Sequence, residues 1–129
     1  MRKLCVITGV AGDLGAALCN IFIKNNYEIF GIDKSNPLNL NEIKFCQSDL
    51  NEIASDKEKR DYLLDSINKW KGESKINILI NNAAYQFVST KHPIEINEYK
   101  KTLNVNLIAP YILISHLARD LETTNGSAI

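Results

Sequence analysis

The sequence predicts an α/β fold with one doubly wound, parallel β-sheet. Short, nearly continuous apolar segments, typical of strands buried on both faces, alternate with longer segments whose apolar residues recur at helical spacing. Right-handed crossovers then give the strand order 3-2-1-4, and we expect the sheet to be truncated before its fifth strand. No linker, internal repeat or low-complexity tract divides the 129 residues, which predict a single domain over residues 1–129.

Three strands and one helix are predicted in the first part of the chain. The helix begins near Leu14, where apolar residues start to recur every three or four positions, and Asn25 with Asn26 supplies a left-handed stop. The polar stretch 34–41 predicts a loop. The strands are expected at residues 4–7, 27–32 and 43–46.

The second part of the chain predicts two long helices and a fourth strand. The first helix covers residues 53–71, and the strand covers residues 76–80. Asn97 can cap the last helix, and Pro110, which has no amide hydrogen, is expected to kink it. Residues 128–129 have the character of the beginning of a fifth strand.

The charge balance gives no reason to expect nucleic acid or a membrane as a partner. The chain has 15 Lys and Arg residues against 15 Asp and Glu residues, and no apolar run reaches the roughly 18 residues that span a bilayer. The apolar stretch after the basic start is also too short for a signal peptide. We therefore expect a cytoplasmic protein.

The cysteines and histidines favour structural roles over a metal site. Cys5, Cys19 and Cys46 each lie in an apolar segment, which is typical of small buried hydrophobic residues. His92 and His116 are far apart, and neither has a cysteine or an acid at ligand spacing. We expect no bound metal.

A glycine-rich turn connects the first strand to the first helix. Gly9 allows a tight turn, Gly12 allows a phosphate to approach bare backbone amides, and Gly15 allows the helix to pack closely on the strand. Asp33, at the end of the second strand, can accept hydrogen bonds from an adenosine ribose and repels a 2′-phosphate. The turn therefore favours NAD over NADP, although the neighbouring Lys34 favours a phosphate. An ordinary tight turn followed by a turn acid is the alternative.

The order of the motifs resembles the short-chain dehydrogenase/reductase family along the whole chain. The stretch of two asparagines and two alanines after the fourth strand is the most distinctive motif. The resemblance implies a Rossmann-like fold and hydride transfer between a nicotinamide cofactor and a small alcohol or carbonyl substrate. The landmarks, in order, are the glycine turn, Asp33, Asp49-Leu50, Asn81-Asn82-Ala83-Ala84 and Asn104-Val105-Asn106-Leu107.

The resemblance also implies roles for individual residues. Asp49 and Leu50 would meet the adenine ring, and residues 82–84 would line the ribose and the nicotinamide side. Asn81 would tie neighbouring strands together. Asn106, the catalytic candidate, would hold a water of the proton relay and stabilise a helix bend, unless it is bonded locally. The expected cofactor-binding residues are Gly9, Gly12, Asp13, Leu14, Gly15, Asp33, Asp49, Leu50, Asn82, Ala83 and Ala84.

Two features depart from the short branch of the family. That branch carries glycine at position 13, where this chain has Asp13, and the spacing of Gly9, Gly12 and Gly15 is that of the extended branch of sugar-nucleotide epimerases and dehydratases. A carboxylate at position 13 suits the helix dipole but competes with a bound phosphate unless it points away. The Asn-Asn-Ala-Ala stretch favours the short branch.

The residues that perform the family's chemistry are not found in this sequence. In the family a tyrosine acts as acid or base, helped by a lysine four positions later and by a serine. No tyrosine here has a lysine four positions after it. We therefore expect the NAD-binding half of an oxidoreductase, inactive by itself. The alternatives are a catalytically inactive NAD-binding or interaction module and an extended-type sugar-nucleotide enzyme.

The last helix predicts self-association. It is apolar on more than one face, and in the family it packs against the tyrosine-bearing helix and at subunit interfaces. The fourth strand is also expected to present an open edge. We therefore expect a homo-oligomer. The apolar residues of this helix are Leu103, Leu107, Ile108, Ile112, Leu113, Ile114 and Leu117.

Overall fold

The computed structural model describes residues 1–88 and 95–129, which form a five-stranded parallel sheet with packed helices. The strand order is 3-2-1-4-5, so the predicted Rossmann-like arrangement is confirmed. His92 and Pro93 lie outside the described residues. The strands are β1 (Lys3–Thr8), β2 (Tyr27–Asp33), β3 (Lys44–Gln47), β4 (Ile76–Ile80) and β5 (Ser127–Ala128).

Five α-helices and one π-helical turn are found in the described residues. Asn26 has a φ of 63°, which is the predicted left-handed stop after the first helix. Residues 34–41 contain no helix or strand, as predicted. The helices are α1 (Asp13–Lys24), α2 (Leu50–Ser55), α3 (Lys57–Lys71), α4 (Ile96–Leu103) and α5 (Ala109–Thr124), and the π turn is Asn104–Ile108.

The core has one part on each face of the sheet. Successive side chains of a strand point to opposite faces, so Leu4 and Val6 belong to one part while Cys5 and Ile7 belong to the other. The first part is completed by α2, α3 and α5, and the second by α1, which contributes Cys19. This two-sided burial explains why the strands read as continuous apolar runs.

All three cysteines are buried and free, as their apolar surroundings predicted. Burial raises the pKa of the Cys5 thiol to about 12 and that of the Cys19 thiol to about 11. Both groups are therefore protonated near neutral pH and act as packing residues.

The prediction of one helix over residues 53–71 is wrong, because the segment forms two helices. Asp56 has an extended backbone (φ −115°, ψ 115°), and its carboxylate accepts hydrogen bonds from the backbone N–H groups of Glu58 and Lys59. It therefore caps α3. The preceding helix α2 begins at Leu50, three residues earlier than expected.

The last helical region is interrupted by the π turn rather than by a simple kink. Pro110 has no amide hydrogen to donate to the carbonyl of Asn106 four residues earlier. The helix widens there, and the N–H of Ala109 donates to the carbonyl of Asn104. Glu95 precedes the first turn of α4, so the predicted cap at Asn97 is wrong by two residues.

The edge of β4 is already partly covered by β5, so the prediction of an open edge is wrong at this point. Ser127 pairs with Ile78, and Ala128 pairs with Leu79. The ladder continues beyond the strand, since the N–H of Asn81 donates to the carbonyl of Ile129 at 2.7 Å. The backbone of Asn81 thus ties two strands together.

Candidate functional site

The strand register brings the sequence motifs to one edge of the sheet. Thr8 lies beside Ile32, and Asp33 lies beside Gln47, so the carboxyl ends of β1, β2 and β3 are level. The carboxyl end of β4 joins them, because Ile80 pairs with Ile7. Ligands of doubly wound sheets bind at this edge.

The three glycines of the turn differ in what holds them in place. Gly9 has a φ of +75°, and a Cβ there would lie 2.8 Å from Nδ2 of Asn82. A Cβ on Gly15 would lie 1.9 Å from the carbonyl oxygen of Gly9, so close packing of α1 on the turn after β1 requires glycine. A Cβ on Gly12 would lie 3.6 Å from the same oxygen, which is an ordinary contact. Packing within the chain therefore does not explain Gly12.

The amino end of α1 opens towards solvent. Gly12 occupies the cap position and provides no side-chain hydrogen bond to the first turn. Asp13 and Leu14 follow it, both are exposed, and Leu14 retains 66% of its accessible surface. The first turn thus combines the positive end of the helix dipole with backbone amides that no capping side chain occupies.

Asp33 is engaged on both of its carboxylate oxygens. Oδ2 accepts a hydrogen bond from the N–H of Ala11 at 3.0 Å, and Oδ1 accepts one from the N–H of Ser35 at 2.9 Å. A carboxylate has about four acceptor sites, so about two remain. Asp33 therefore fixes the glycine turn and still has room for a ligand hydroxyl.

The segment after β4 is braced against the glycine turn. Nδ2 of Asn82 donates to the carbonyls of Thr8 and Gly9 at 3.0 and 3.2 Å, and the N–H of Ala83 donates to Oγ1 of Thr8 at 2.9 Å. These bonds hold two loops side by side at the sheet edge. The side-chain oxygen of Asn81 is buried and has no hydrogen-bond partner among the residues that the structure describes.

Asn106 is bonded across the molecule rather than within its own helix. Its Oδ1 accepts from the N–H of Tyr85, and its Nδ2 donates to the carbonyl of Tyr85, both at 2.7 Å. The hydroxyl of Tyr85 donates to Glu98, and this bond raises the pKa of Tyr85. Nζ of Lys101 lies 4.2 Å from the centre of the Tyr85 ring. The loop after β4 is thereby attached to α4 and the π turn.

A cleft of about 480 Å³ lies between these elements. All eleven residues that the sequence predicted as cofactor-binding line it, and Asn106 does not. The structure therefore brings the glycine turn, the three acids Asp13, Asp33 and Asp49, and the Asn-Asn-Ala-Ala segment into one concave surface. The further lining residues are Ile32, Lys34, Ser48, Tyr85, Lys101 and Val105.

Sequence reasoning missed several of these lining residues as site residues. Tyr85 directly follows Ala84, and Val105 directly precedes Asn106, so adjacency to the recognised motifs was a usable signal. Lys101 lies four residues, about one helical turn, before Val105. Its place on the cleft wall depends on the helix orientation, which the sequence does not reveal.

Within residues 1–88 and 95–129, no group of three or more His, Cys, Asp or Glu residues is arranged to hold a metal ion. In the same residues, no helix combines the length and the apolar character needed to cross a bilayer.

The comparisons with known proteins agree with this architecture. An uncharacterized oxidoreductase of Thermotoga maritima is 23% identical over 98% of this chain and 51% of its own length. This chain therefore spans about half the length of the curated relative it matches. Among solved structures, a short chain dehydrogenase/reductase family oxidoreductase of Brucella ovis, in complex with a partially ordered NAD, has a TM-score of 0.82. It is 20% identical, and the match covers 99% of this chain and 61% of that protein.

A second solved structure shows the same fold with a different ligand. The alcohol dehydrogenase of the archaeon Thermococcus sibiricus, complexed with 5-hydroxy-NADP, has a TM-score of 0.80 at 16% identity over 99% of this chain and 57% of that protein. The family model for short chain dehydrogenases matches residues 3–129, which is nearly the whole sequence. The chain belongs to the short chain dehydrogenase family.

Proposed function

We propose that this chain is the dinucleotide-binding part of an NAD-dependent dehydrogenase, with the cofactor lying across the carboxyl ends of the strands. One observation supports this proposal above all: the amino end of α1, which no side chain caps, opens into the cleft at Gly12. Packing within the chain leaves space for a Cβ at this position. The N–H of Gly12 itself donates to the carbonyl of Gly9 at 3.3 Å, so the amides offered to a ligand are those of the first helical turn that follows. Unoccupied amides at a helix amino end suit the pyrophosphate of a dinucleotide.

The adenosine end of the cofactor fits the wall formed by β2, α2 and the π turn. Leu50 and Val105 supply apolar surfaces for adenine, and both line the cleft. Oδ1 of Asp49 accepts from the N–H of Asn51 at 2.9 Å, which leaves Oδ2 for the exocyclic amine of adenine. Asp33 is placed to accept from the ribose hydroxyls.

The preference for NAD rests on the charge of Asp33. A carboxylate at the end of β2 repels a 2′-phosphate, whereas the adjacent Lys34 attracts one. Relatives in the family carry either cofactor, since the Brucella ovis protein holds NAD and the Thermococcus sibiricus enzyme holds 5-hydroxy-NADP. We propose that Asp33 dominates, because its Oδ2 faces the glycine turn and the bonds from the N–H groups of Ala11 and Ser35 fix the position of the carboxylate.

The proposed reaction transfers a hydride between the nicotinamide and a small alcohol or carbonyl compound. When bound, the cofactor supplies or accepts the hydride. The residues of this chain bind and orient, with residues 82–84 placed near the nicotinamide side. Asn106 holds the loop at Tyr85, and Oδ1 retains one acceptor site for a relay water. No Tyr-x-x-x-Lys pattern occurs in these 129 residues, so none of them is proposed as the proton donor.

The cofactor proposal is tested by titrating the purified chain with NADH and NADPH. We expect tighter binding of NADH. Asp33→Ala removes the ribose contact and also the bond to the N–H of Ala11, so both cofactors should bind more weakly. The informative quantity is the ratio of the two affinities, which should shift by roughly tenfold towards NADPH, since a bond to a charged group is lost from NADH alone.

Lys34→Ala is the matched control, because it changes the charge of the same rim without touching the glycine turn. This variant should bind NADPH more weakly, and its affinity for NADH should stay within about twofold of that of the unmodified chain. Equal affinities for both cofactors in the unmodified chain would contradict the role of Asp33. No binding of either cofactor would contradict the proposed function itself.

We also propose that the chain self-associates through one face of the π turn and α5. Leu107, Tyr111 and Ile114 are spaced as neighbours on a helix and retain 61%, 69% and 41% of their accessible surfaces. Leu113 and Leu117 from the same predicted apolar set are instead buried in the core. Light scattering should show a dimer or larger species, and Tyr111→Lys should shift it towards monomer. A monodisperse monomer of the unmodified chain would contradict this proposal.

A further inference from the structure

The π turn directs three consecutive side chains to three different parts of the molecule. Nδ2 of Asn104 donates to Oδ1 of Asn51 in α2 at 3.0 Å. Val105 is buried and lines the cleft, and Asn106 binds the backbone of Tyr85. The turn therefore joins α2, the cleft wall and the loop after β4 at one point.

The bond from Asn104 reaches the residues that form the adenine wall. Asn51 lies next to Leu50, and its backbone N–H donates to Oδ1 of Asp49 at 2.9 Å. The side chain of Asn51 is thus held from the π turn, while its backbone holds the carboxylate of Asp49. We expect a shift of Asn51 to move the wall that carries Asp49 and Leu50 relative to the wall that carries Val105.

Asn104 is itself fixed at two points. Its carbonyl accepts the N–H of Ala109, which is the bond that defines the widened turn, and its side chain is committed to Asn51. Val105 follows directly and lines the same cleft as Leu50 of α2. The residue that precedes Val105 is therefore the one that bonds to α2, next to Leu50.

We propose that Asn104 is a positioning residue for the adenosine part of the cofactor, acting through Asn51. It does not touch the cleft, and it fixes the spacing between the Val105 side and the Asp49–Leu50 side. This inference rests on the proposed dinucleotide site. It adds that affinity for the adenosine end depends on a bond between two asparagines outside the cleft.

The test uses ADP, which carries the adenosine and both phosphates without the nicotinamide. Calorimetric titration of Asn104→Ala and of Asn51→Ala should each show ADP binding weakened by roughly threefold to tenfold, the range expected for one part-buried hydrogen bond. The double variant should be no weaker than either single variant, because both act through one bond. Independent, multiplying losses in the double variant would overturn the proposal.

Asn68→Ala is the matched control, since Asn68 makes a side-chain hydrogen bond of 3.1 Å to His116 away from the cleft. A general loss of packing would lower Tm and ADP affinity together in all variants. We expect Asn68→Ala to leave ADP affinity within about twofold whatever its Tm, as is usual for distant sites. Unchanged ADP affinity in Asn104→Ala would refute the positioning role.

A separate measurement distinguishes failure of this inference from failure of the proposed function. If the unmodified chain does not bind ADP, the dinucleotide site is wrong. Amide hydrogen exchange then tests the bond directly, because Asn104→Ala should speed exchange in α2 and leave the hydrogen-bonded last turns of α1 unchanged. Equal exchange in the two proteins would show that Asn104 does not hold α2.

Discussion

Each end of the parallel sheet carries an aspartate that accepts hydrogen bonds from the protein. The two ends differ in whether that aspartate borders a cleft open to a ligand. At the amino end, Oδ2 of Asp120 accepts from Nζ of Lys71 at 2.8 Å and from the N–H of Ile76 at 3.1 Å. Lys75 lies 3.7 Å from Oδ1. At the carboxyl end, Asp33 likewise accepts two N–H groups, but it borders an open cleft.

The comparison shows that a dense polar network does not by itself identify a binding site. Asp120 keeps 7% of its accessible surface, and its bonds connect α5 to α3 and β4. Its hydrogen bonds therefore stabilise the fold and are not available to a ligand. The network around Asp33 keeps about two acceptor sites and lies beside helix amides that no side chain caps. Spare hydrogen-bonding capacity on a concave surface is what distinguishes Asp33, the proposed binding residue, from the structural residue Asp120.

The largest expected effect concerns the glycine turn after β1. It distinguishes a glycine needed for packing, Gly15, from a glycine proposed to admit a ligand, Gly12. Gly15→Ala forces a Cβ to within 1.9 Å of the carbonyl oxygen of Gly9, so the helix must move away from the strand. We expect the free energy of unfolding to fall by about 3 kcal/mol or more, at the upper end of overpacking effects. Chemical denaturation followed by circular dichroism measures this loss.

Gly12→Ala provides the contrasting variant in the same turn. Its Cβ meets the carbonyl oxygen of Gly9 at an ordinary 3.6 Å, so stability should change by less than about 1 kcal/mol. NADH affinity should nevertheless fall by about tenfold or more, because the methyl group occupies the approach to the amides. A stable Gly12→Ala protein with unchanged NADH affinity would show that the turn is merely a tight connection.

Much of the cleft could be predicted from sequence because its parts follow directly from strand ends. In a parallel sheet the carboxyl ends lie at one edge, so the motifs at Gly9, Asp33, Asp49 and Asn82 had to meet once the strands were recognised. The packing role of Gly15 could be predicted as well, because the atoms it approaches belong to residues only a few positions away.

The remaining features depend on contacts between distant parts of the chain. Three hydrogen bonds illustrate this. Asp33 and Ala11 are 22 positions apart, and Asn106 and Tyr85 are 21 positions apart. Asn104 and Asn51 are 53 positions apart. Such pairs follow from helix orientation rather than from local pattern. The break between α2 and α3 is a local feature that the sequence prediction missed, although Asp56 before a charged helical segment was an available capping signal.

The second expected effect tests the amino end of the sheet. Burial alone would raise the pKa of Asp120, but the bonds from Lys71 and Ile76 and the charge of Lys75 together hold it below its usual range. Because the folded pKa is the lower one, this stabilisation is complete above about pH 4 and is lost as the pH falls through the folded value. Asp120→Asn should lower the free energy of unfolding by about 2 kcal/mol at neutral pH.

Denaturation at several pH values measures this effect, and Glu28→Gln supplies the control. Glu28 pairs with Arg2 at the same end of the sheet, but their side chains keep 50% and 37% of their surfaces. Arg2 also retains its bond to the carbonyl of Lys71 and its contact with the ring of Trp70. Glu28→Gln should therefore cost at most about 0.5 kcal/mol. Equal losses of unfolding free energy in the two variants would contradict the structural role of Asp120. Weaker NADH binding in Asp120→Asn would contradict the assignment of ligand binding to the carboxyl end of the sheet alone.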